Sequence, residues 1–245
     1  MSELNQLSLS AEYQPLIEPN TLQTMGYEAL SRFYDQTGQT IAPNLVFEQL
    51  HQREECLAAV EFAAKTFQIQ HAPKGGRLFV NIDPHAVETN NHHMIKLLKT
   101  HPDICVEIIE NTCISDATLS IDFANQLIEQ NIGVALDDVG APHSMLSIEL
   151  MSKVDCIKFD KHWLKKANRP EYCLLLNSLI NFAKKSHKLT ILEGIETQSQ
   201  LDFARSIDVD LVQGFIFKSA FFRPHSQLPL ADILLSDKFQ CELLL

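Results

Sequence analysis

Acidic and amide residues recur where short apolar runs end. Glu28 and Arg32 stand in one run, Asn81 and Asp83 close the next, and Glu107 and Glu110 follow. Asp137 and Asp138 come directly after Val-Ala-Leu. Lys158 and Asp160 share a run, Glu193 ends another with Glu196 just beyond, and Gln213 precedes Gly214. If these runs were strands with one common end, Glu28, Glu107, Asp137, Asp138 and Glu193 would bring five carboxylates together with Lys158 among few cations. Such a group must repel, protonate or bind cations. Mg²⁺ and Mn²⁺ prefer carboxylate and amide oxygens, and Asn81 supplies the latter. Two adjacent aspartates suit a pair of metals about 3.5–4 Å apart with one carboxylate bridging. A single acidic strand end is most simply a helix N-cap, but five of them with an Asn and a Lys point to metal-assisted chemistry. On residues alone the rival is enolase-like proton abstraction, with Lys158 as base and carboxylates holding Mg²⁺.

The elements that would position these groups are eight short strand candidates: Tyr13–Glu18, Gly26–Arg32, Leu78–Ile82, Ile104–Ile109, Gly133–Asp137, Cys156–Phe159, Leu189–Leu192 and Leu211–Phe217. Helical spacing of apolar residues marks Leu57–Phe67, Ile121–Asn131, Tyr172–Ser186 and Ser199–Ser206. Ser120 is placed to cap the second of these, and Asp202 falls in the first turn of the last. Phe33–Leu50 reads as a long polar connection leading into a helix. Eight strands alternating with helices over ~250 residues predict an α/β fold of the (β/α)8 barrel type. The rival, a doubly wound open sheet, usually carries a glycine-rich turn after its first strand, and none is present. Residues 1–12 are expected to form a short N-terminal tail and 13–245 a single barrel domain. Asp232–Leu245 is expected to form a last helix, its apolar end either packing on the barrel or meeting a partner.

Composition narrows the class. The 245 residues carry 20 Lys and Arg against 31 Asp and Glu, a formal charge of -11, which argues against a DNA or RNA polymer as partner. An anionic ligand stays compatible if metal ions stand between it and the protein. No apolar run reaches the ~18 residues of a membrane span, and no leader pattern opens the chain, so no membrane insertion and a cytoplasmic location are expected. The six cysteines lack metal-knuckle or redox spacing, and Cys105 and Cys156 read as small core residues.

Glu28-Ala29-Leu30 with Ser31-Arg32 resembles the signature of the EAL-domain family, phosphodiesterases of the bacterial messenger cyclic di-GMP. Gln14-Pro15, Asn81, Glu107-Ile108-Ile109-Glu110, Asp137-Asp138 with Gly140, Lys158-Phe159-Asp160, Glu193-Gly194-Ile195-Glu196-Thr197 and Gln213-Gly214 resemble further family motifs in the same order. The resemblance covers about residues 13–225. It implies a modified (β/α)8 barrel with its first strand antiparallel, and hydrolysis of cyclic di-GMP to linear pGpG with two Mg²⁺ or Mn²⁺ ions. It implies that Glu28, Asn81, Glu107 and Asp137 hold one metal and that Asp137, Asp138 and Glu193 hold the second. Lys158 would hold or polarise the attacking water, with Glu193 also cast as general base. Gln14, Leu30, Arg32, Asp160 and Gln213 would contact the nucleotide, and Glu110 would brace the loop after the fifth strand. A homodimer is implied, and a regulatory protein partner is a further expectation. The sequence departs from the family at Val139–Leu146, where Pro142 replaces a glycine and His143 a tyrosine. That departure sets up the alternative: a weak or inactive EAL domain serving as a cyclic di-GMP receptor or interaction module.

Overall fold

The computed structural model describes residues 4–87, 91–109, 114–142 and 145–235. Its strands are β1 (Ser8–Ile17), β2 (Thr24–Tyr34), β3 (Thr40–Ile41), β4 (Arg77–Asn81), β5 (Ile104–Ile109), β6 (Gly133–Val139), β7 (Cys156–Phe159), β8 (Leu189–Leu192), β9 (Leu211–Val212) and β10 (Leu228–Pro229). The α-helices are α1 (Pro43–Leu50), α2 (Glu54–Gln70), α3 (Pro84–Val87), α4 (Asn91–Leu98), α5 (Ile114–Glu129), α6 (Ile148–Lys153), α7 (His162–Lys165), α8 (Pro170–Lys185), α9 (Gln198–Ser206) and α10 (Leu230–Leu234).

Eight strands close on themselves in the order β1-β9-β8-β7-β6-β5-β4-β2 and back to β1. β1 is antiparallel to both of its neighbours, and the remaining joins in the ring are parallel. This is the modified barrel expected, and closure excludes the open sheet. No helix among the described residues is long and apolar enough to cross a membrane.

The barrel interior explains why the polar residues converge. Its apolar layer is Leu16, Phe79, Cys105, Ala135, Cys156, Ile191 and Leu211. Side chains two apart along a strand share a face. Two residues beyond Phe79, Cys105, Ala135, Cys156, Ile191 and Leu211 stand Asn81, Glu107, Asp137, Lys158, Glu193 and Gln213. The polar set is therefore the next layer of the same interior, lying on a hydrophobic floor. Cys105 and Cys156 are fully buried there, as their apolar surroundings in the sequence suggested.

The structure differs from the sequence reading in several places. β1 begins at Ser8, so Ser8–Glu12 are strand rather than tail. Phe33 and Tyr34 continue β2, and a tight turn leads to β3 before α1 starts at Pro43. The Asp35 carboxylate holds that turn by accepting from the amides of Thr37 and Gln39. β1 and β2 thus form a long ribbon, pairing from Ser8↔Tyr34 onward. Leu9 and Phe33 of the ribbon belong to a second core with Val46, Leu50, Leu57, Val60, Leu230 and Ile233. Ser120 lies inside α5, which starts at Ile114, so it is not the N-cap of that helix. α9 is capped by Thr197 and Gln200 in a reciprocal box, and Asp202 falls beyond its first turn. β9 ends at Val212, because Gly214 packs against the Ile195 backbone and a 3₁₀ helix follows at Phe215–Ala220. α10 ends at Leu234, and residues 236–245 lie outside the described residues.

Candidate functional site

Gln14, Glu28, Leu30, Arg32, Asn81, Asp137, Asp138, Asp160, Glu193 and Gln213 line one cleft of about 930 Å³ at the C-terminal ends of the parallel strands. Glu107 and Lys158 lie at its buried floor, 1% and 0% exposed. Glu110 lies outside the described residues, as do His143 and Ser144.

Lys158 is the hub. Its Nζ stands 2.5 Å from Glu107 Oε1, 2.8 Å from Glu193 Oε1, 3.1 Å from Asp137 Oδ1 and 3.7 Å from Glu28 Oε2. Burial alone would depress its pKa, but the charges of Asp137, Glu107, Glu193 and Glu28 raise it well above the ordinary lysine value. The ammonium is therefore charged. Asn81 Nδ2 donates to Glu28 Oε1 at 3.0 Å and Glu107 Oε2 at 2.7 Å. Gln213 Nε2 donates to Glu28 Oε2 at 2.5 Å and Gln14 Oε1 at 3.0 Å.

Two neighbouring strand residues normally face opposite ways, yet Asp137 and Asp138 act together. The β6–β7 register shifts between Leu136 and Val139, and Asp138 adopts a left-handed φ of 56°. Carboxylate oxygens of Asp137, Asp138 and Glu193 consequently lie within 4.8 Å of one another. Gly140, at φ 88°, continues the bend, and a Cβ there would sit 2.2 Å from Trp163 Nε1. Trp163 Nε1 donates to Val139 O at 2.7 Å, and Ala141 N donates to Asp138 O at 2.9 Å. Pro142 is exposed at the far side of this turn.

The donor set fits hard divalent cations. Five carboxylates face one ammonium, an excess of four negative charges when all are ionised (5 − 1 = 4). Burial lifts Glu107, Asp137, Asp138 and Glu193 above the usual carboxylate range, with mutual repulsion adding to it. Burial also acts on Glu28, but Lys158, Gln213 and Asn81 outweigh it and hold that carboxyl low. Glu107 Oε1 and Asp137 Oδ1 are buried and share the one Lys158 ammonium, at 2.5 and 3.1 Å. Their oxygens ask for positive charge that the lysine alone does not provide.

The outer cleft holds the other expected residues. Arg32 Nη2 pairs with Glu12 Oε1 at 2.5 Å, and Asp160 accepts from the His162 amide at 2.8 Å and contacts its ring. Sequence reasoning missed Glu12, Arg223 and Trp163. The alternation Ser10, Glu12, Gln14 was a signal for the first, since it continues the strand pattern toward the N-terminus. Nothing local signals Arg223, which meets Glu12 across 211 positions.

Fold and site together define the class: a mixed α/β barrel with an acidic, lysine-centred site at its C-terminal rim. The family model for the EAL domain matches residues 2–220. The cyclic di-GMP phosphodiesterase PdeA of Borreliella burgdorferi is 25% identical over 202 residues, which cover 78% of this chain and 30% of that protein. The probable cyclic di-GMP phosphodiesterase PdeG of Escherichia coli is 24% identical over 238 residues, covering 91% of this chain and 46% of that protein. The chain spans less than half the length of these relatives. Among solved structures, the FimX EAL domain from Pseudomonas aeruginosa bound to c-di-GMP superimposes with a TM-score of 0.69 at 20% identity over 95% of both chains. The chain belongs to the EAL domain family, a family of cyclic di-GMP phosphodiesterases.

Proposed function

We propose that this protein hydrolyses one phosphodiester of cyclic di-GMP to linear pGpG, using two Mg²⁺ or Mn²⁺ ions. The observation that carries the reading is the convergence of Glu28, Glu107, Asp137, Asp138 and Glu193 around Lys158 at the floor of a nucleotide-sized cleft. Glu28, Asn81, Glu107 and Asp137 would hold one cation, and Asp137, Asp138 and Glu193 the other. When bound, the cations supply an acidified water and neutralise charge on the phosphoryl oxygens.

The chain's own residues do the rest. Lys158, kept cationic by its neighbours, donates an N–H to the water oxygen and orients it. Glu193 is open to the cleft, with 18% of its side chain exposed, and accepts the water's proton. Gln213 and Gln14 fix the Glu28 side of the site. Arg32 presents a fork of donors to a phosphate, and Asp160 and Leu30 face the nucleotide.

The loop supports the enzyme over the receptor. Among the described residues, the bonds that hold the backbone at Asp138 are Trp163 Nε1 to Val139 O and Ala141 N to Asp138 O, and none is to Pro142. Proline presets the turn without displacing the aspartate. Exposed Met145 and Leu146 at the end of this loop, with Ile148 just beyond it, support the expected homodimer contact. The reading places the protein in the cytoplasm.

Incubation with cyclic di-GMP and Mg²⁺ or Mn²⁺, resolving cyclic from linear dinucleotide, tests the proposal. Linear product supports it. Tight binding without cleavage would replace it by the receptor reading.

A further inference from the structure

Glu12 is 2% exposed and lies midway along the β1–β2 ribbon, paired with Leu30 of the cleft lining. It meets two arginines. Its Oε1 receives Arg32 Nη2 at 2.5 Å and Gln14 Nε2 at 3.0 Å. Its Oε2 receives Arg223 Nε at 2.5 Å and also contacts Arg223 Nη2. Arg223 is delivered by backbone pairing: Tyr13 N donates to Phe222 O at 2.8 Å and Phe222 N to Tyr13 O at 3.0 Å. Arg32 lines the cleft, whereas Arg223 does not.

The charges explain the arrangement. The cleft walls carry Glu28, Asp83, Asp137, Asp138, Asp160, Glu193 and further acids, while Lys65 is taken up by Glu61. Arg32 is therefore among the few cations that an anion in the cleft could meet. A buried carboxylate facing Arg32 alone would cancel that charge and compete with the anion for its donors. With Arg223 on the other oxygen, two guanidiniums share one carboxylate, and the cluster keeps a net positive charge (2 − 1 = +1). Arg32 spends one donor on Glu12 and one on the Ser31 carbonyl at 2.9 Å, which leaves three of its five N–H groups for a ligand.

We propose that Arg223 is the counter-ion of Glu12, a positioning residue that frees the charge of Arg32 for a phosphate of the nucleotide. This rests on the reading of the cleft as a cyclic dinucleotide site. It assigns a ligand-affinity role to a side chain outside the cleft.

Two readouts test it on the parent, Arg223→Gln, and the double variant Glu12→Gln with Arg223→Gln. The first needs no nucleotide: the rate at which phenylglyoxal labels Arg32, mapped by peptide mass spectrometry. The second is affinity for cyclic di-GMP, as KM from initial rates or as Kd if nothing is cut. We expect Arg223→Gln to slow Arg32 labelling by about threefold or more and to weaken affinity about fivefold, with kcat little changed. Removing the Glu12 charge in the double variant should restore both to within about twofold. If Arg223→Gln matches the parent in both readouts, or the double variant is as impaired as the single one, the counter-ion role is wrong. A parent that neither binds nor cuts cyclic di-GMP would defeat the functional reading, and the labelling result would still decide the role of Arg223.

Discussion

Lys158 Nζ lies 2.5 Å from Glu107 Oε1, and neither side chain has any surface exposed to solvent. The buried ammonium stays charged because carboxylates surround it, while burial and the charge of Glu28 lift the Glu107 carboxyl well above its usual range. Lys158→Met removes the charge and keeps the stem. Turnover of cyclic di-GMP is expected to fall at least about a hundredfold, about 2.7 kcal/mol of barrier, with nucleotide binding retained. Metal-free stability should also fall, by about 3–5 kcal/mol, because the carboxylates lose their counter-ion. Steady-state rates, ligand binding and urea titration check the three parts. Turnover at the parent rate would remove Lys158 from the chemistry.

Metal should act on stability in a pH-dependent way. Burial, reinforced by Asp137, pushes Asp138 up to about 6. Burial, opposed by Lys158 and reinforced by Asp137, pushes Glu193 up to about 8. A carboxyl whose folded pKa is raised binds protons more tightly folded than unfolded. Its contribution is present below the ordinary carboxylate range and is lost as pH rises through the raised values. The melting midpoint of metal-stripped protein should therefore fall from the ordinary carboxylate range upward, through Asp138 until about pH 6 and through Glu193 until about pH 8. Mg²⁺ competes with those protons, so the gain in midpoint at millimolar Mg²⁺ should widen over the same window. Melts at several pH values, with and without Mg²⁺, decide it, and no gain at any pH would speak against a cation site.

Trp163 is expected to set the Asp138 position through Val139. Trp163→Phe deletes the hydrogen bond to the Val139 carbonyl while keeping an aromatic ring. The Asp160 amide still donates to that carbonyl at 3.1 Å, so we expect a stability loss of about 0.5–1.5 kcal/mol for the one bond removed. Turnover should fall about tenfold, and higher metal concentrations should recover part of it. A rate loss insensitive to metal would place the effect elsewhere.

The sequence made the barrel legible because strand periodicity and spacing are local signals. β5, β7 and β8 run between the residues where their apolar runs begin and end. Gathering Glu28, Asn81, Glu107, Asp137, Lys158, Glu193 and Gln213 needed only the rule that strand ends share a rim. The rest depended on events with no local trace. That Asp137 and Asp138 share a side follows from a register shift and a left-handed residue, where alternation alone would separate them. The Glu12–Arg223 contact joins positions at opposite ends of the chain. Polar Ser8–Glu12 resembles a tail until the ribbon with β2 buries it.

The central claim is that the carboxylate–lysine centre directs water onto a phosphodiester of cyclic di-GMP, with metal required. Hydrolysis in ¹⁸O-labelled water, with the product analysed by mass spectrometry, tests it most directly. The account predicts linear pGpG carrying one ¹⁸O on its terminal phosphate, formed with Mg²⁺ or Mn²⁺ and abolished by a chelator. Cyclic di-GMP recovered intact with either metal, or labelled product formed at an undiminished rate in chelator, would contradict it.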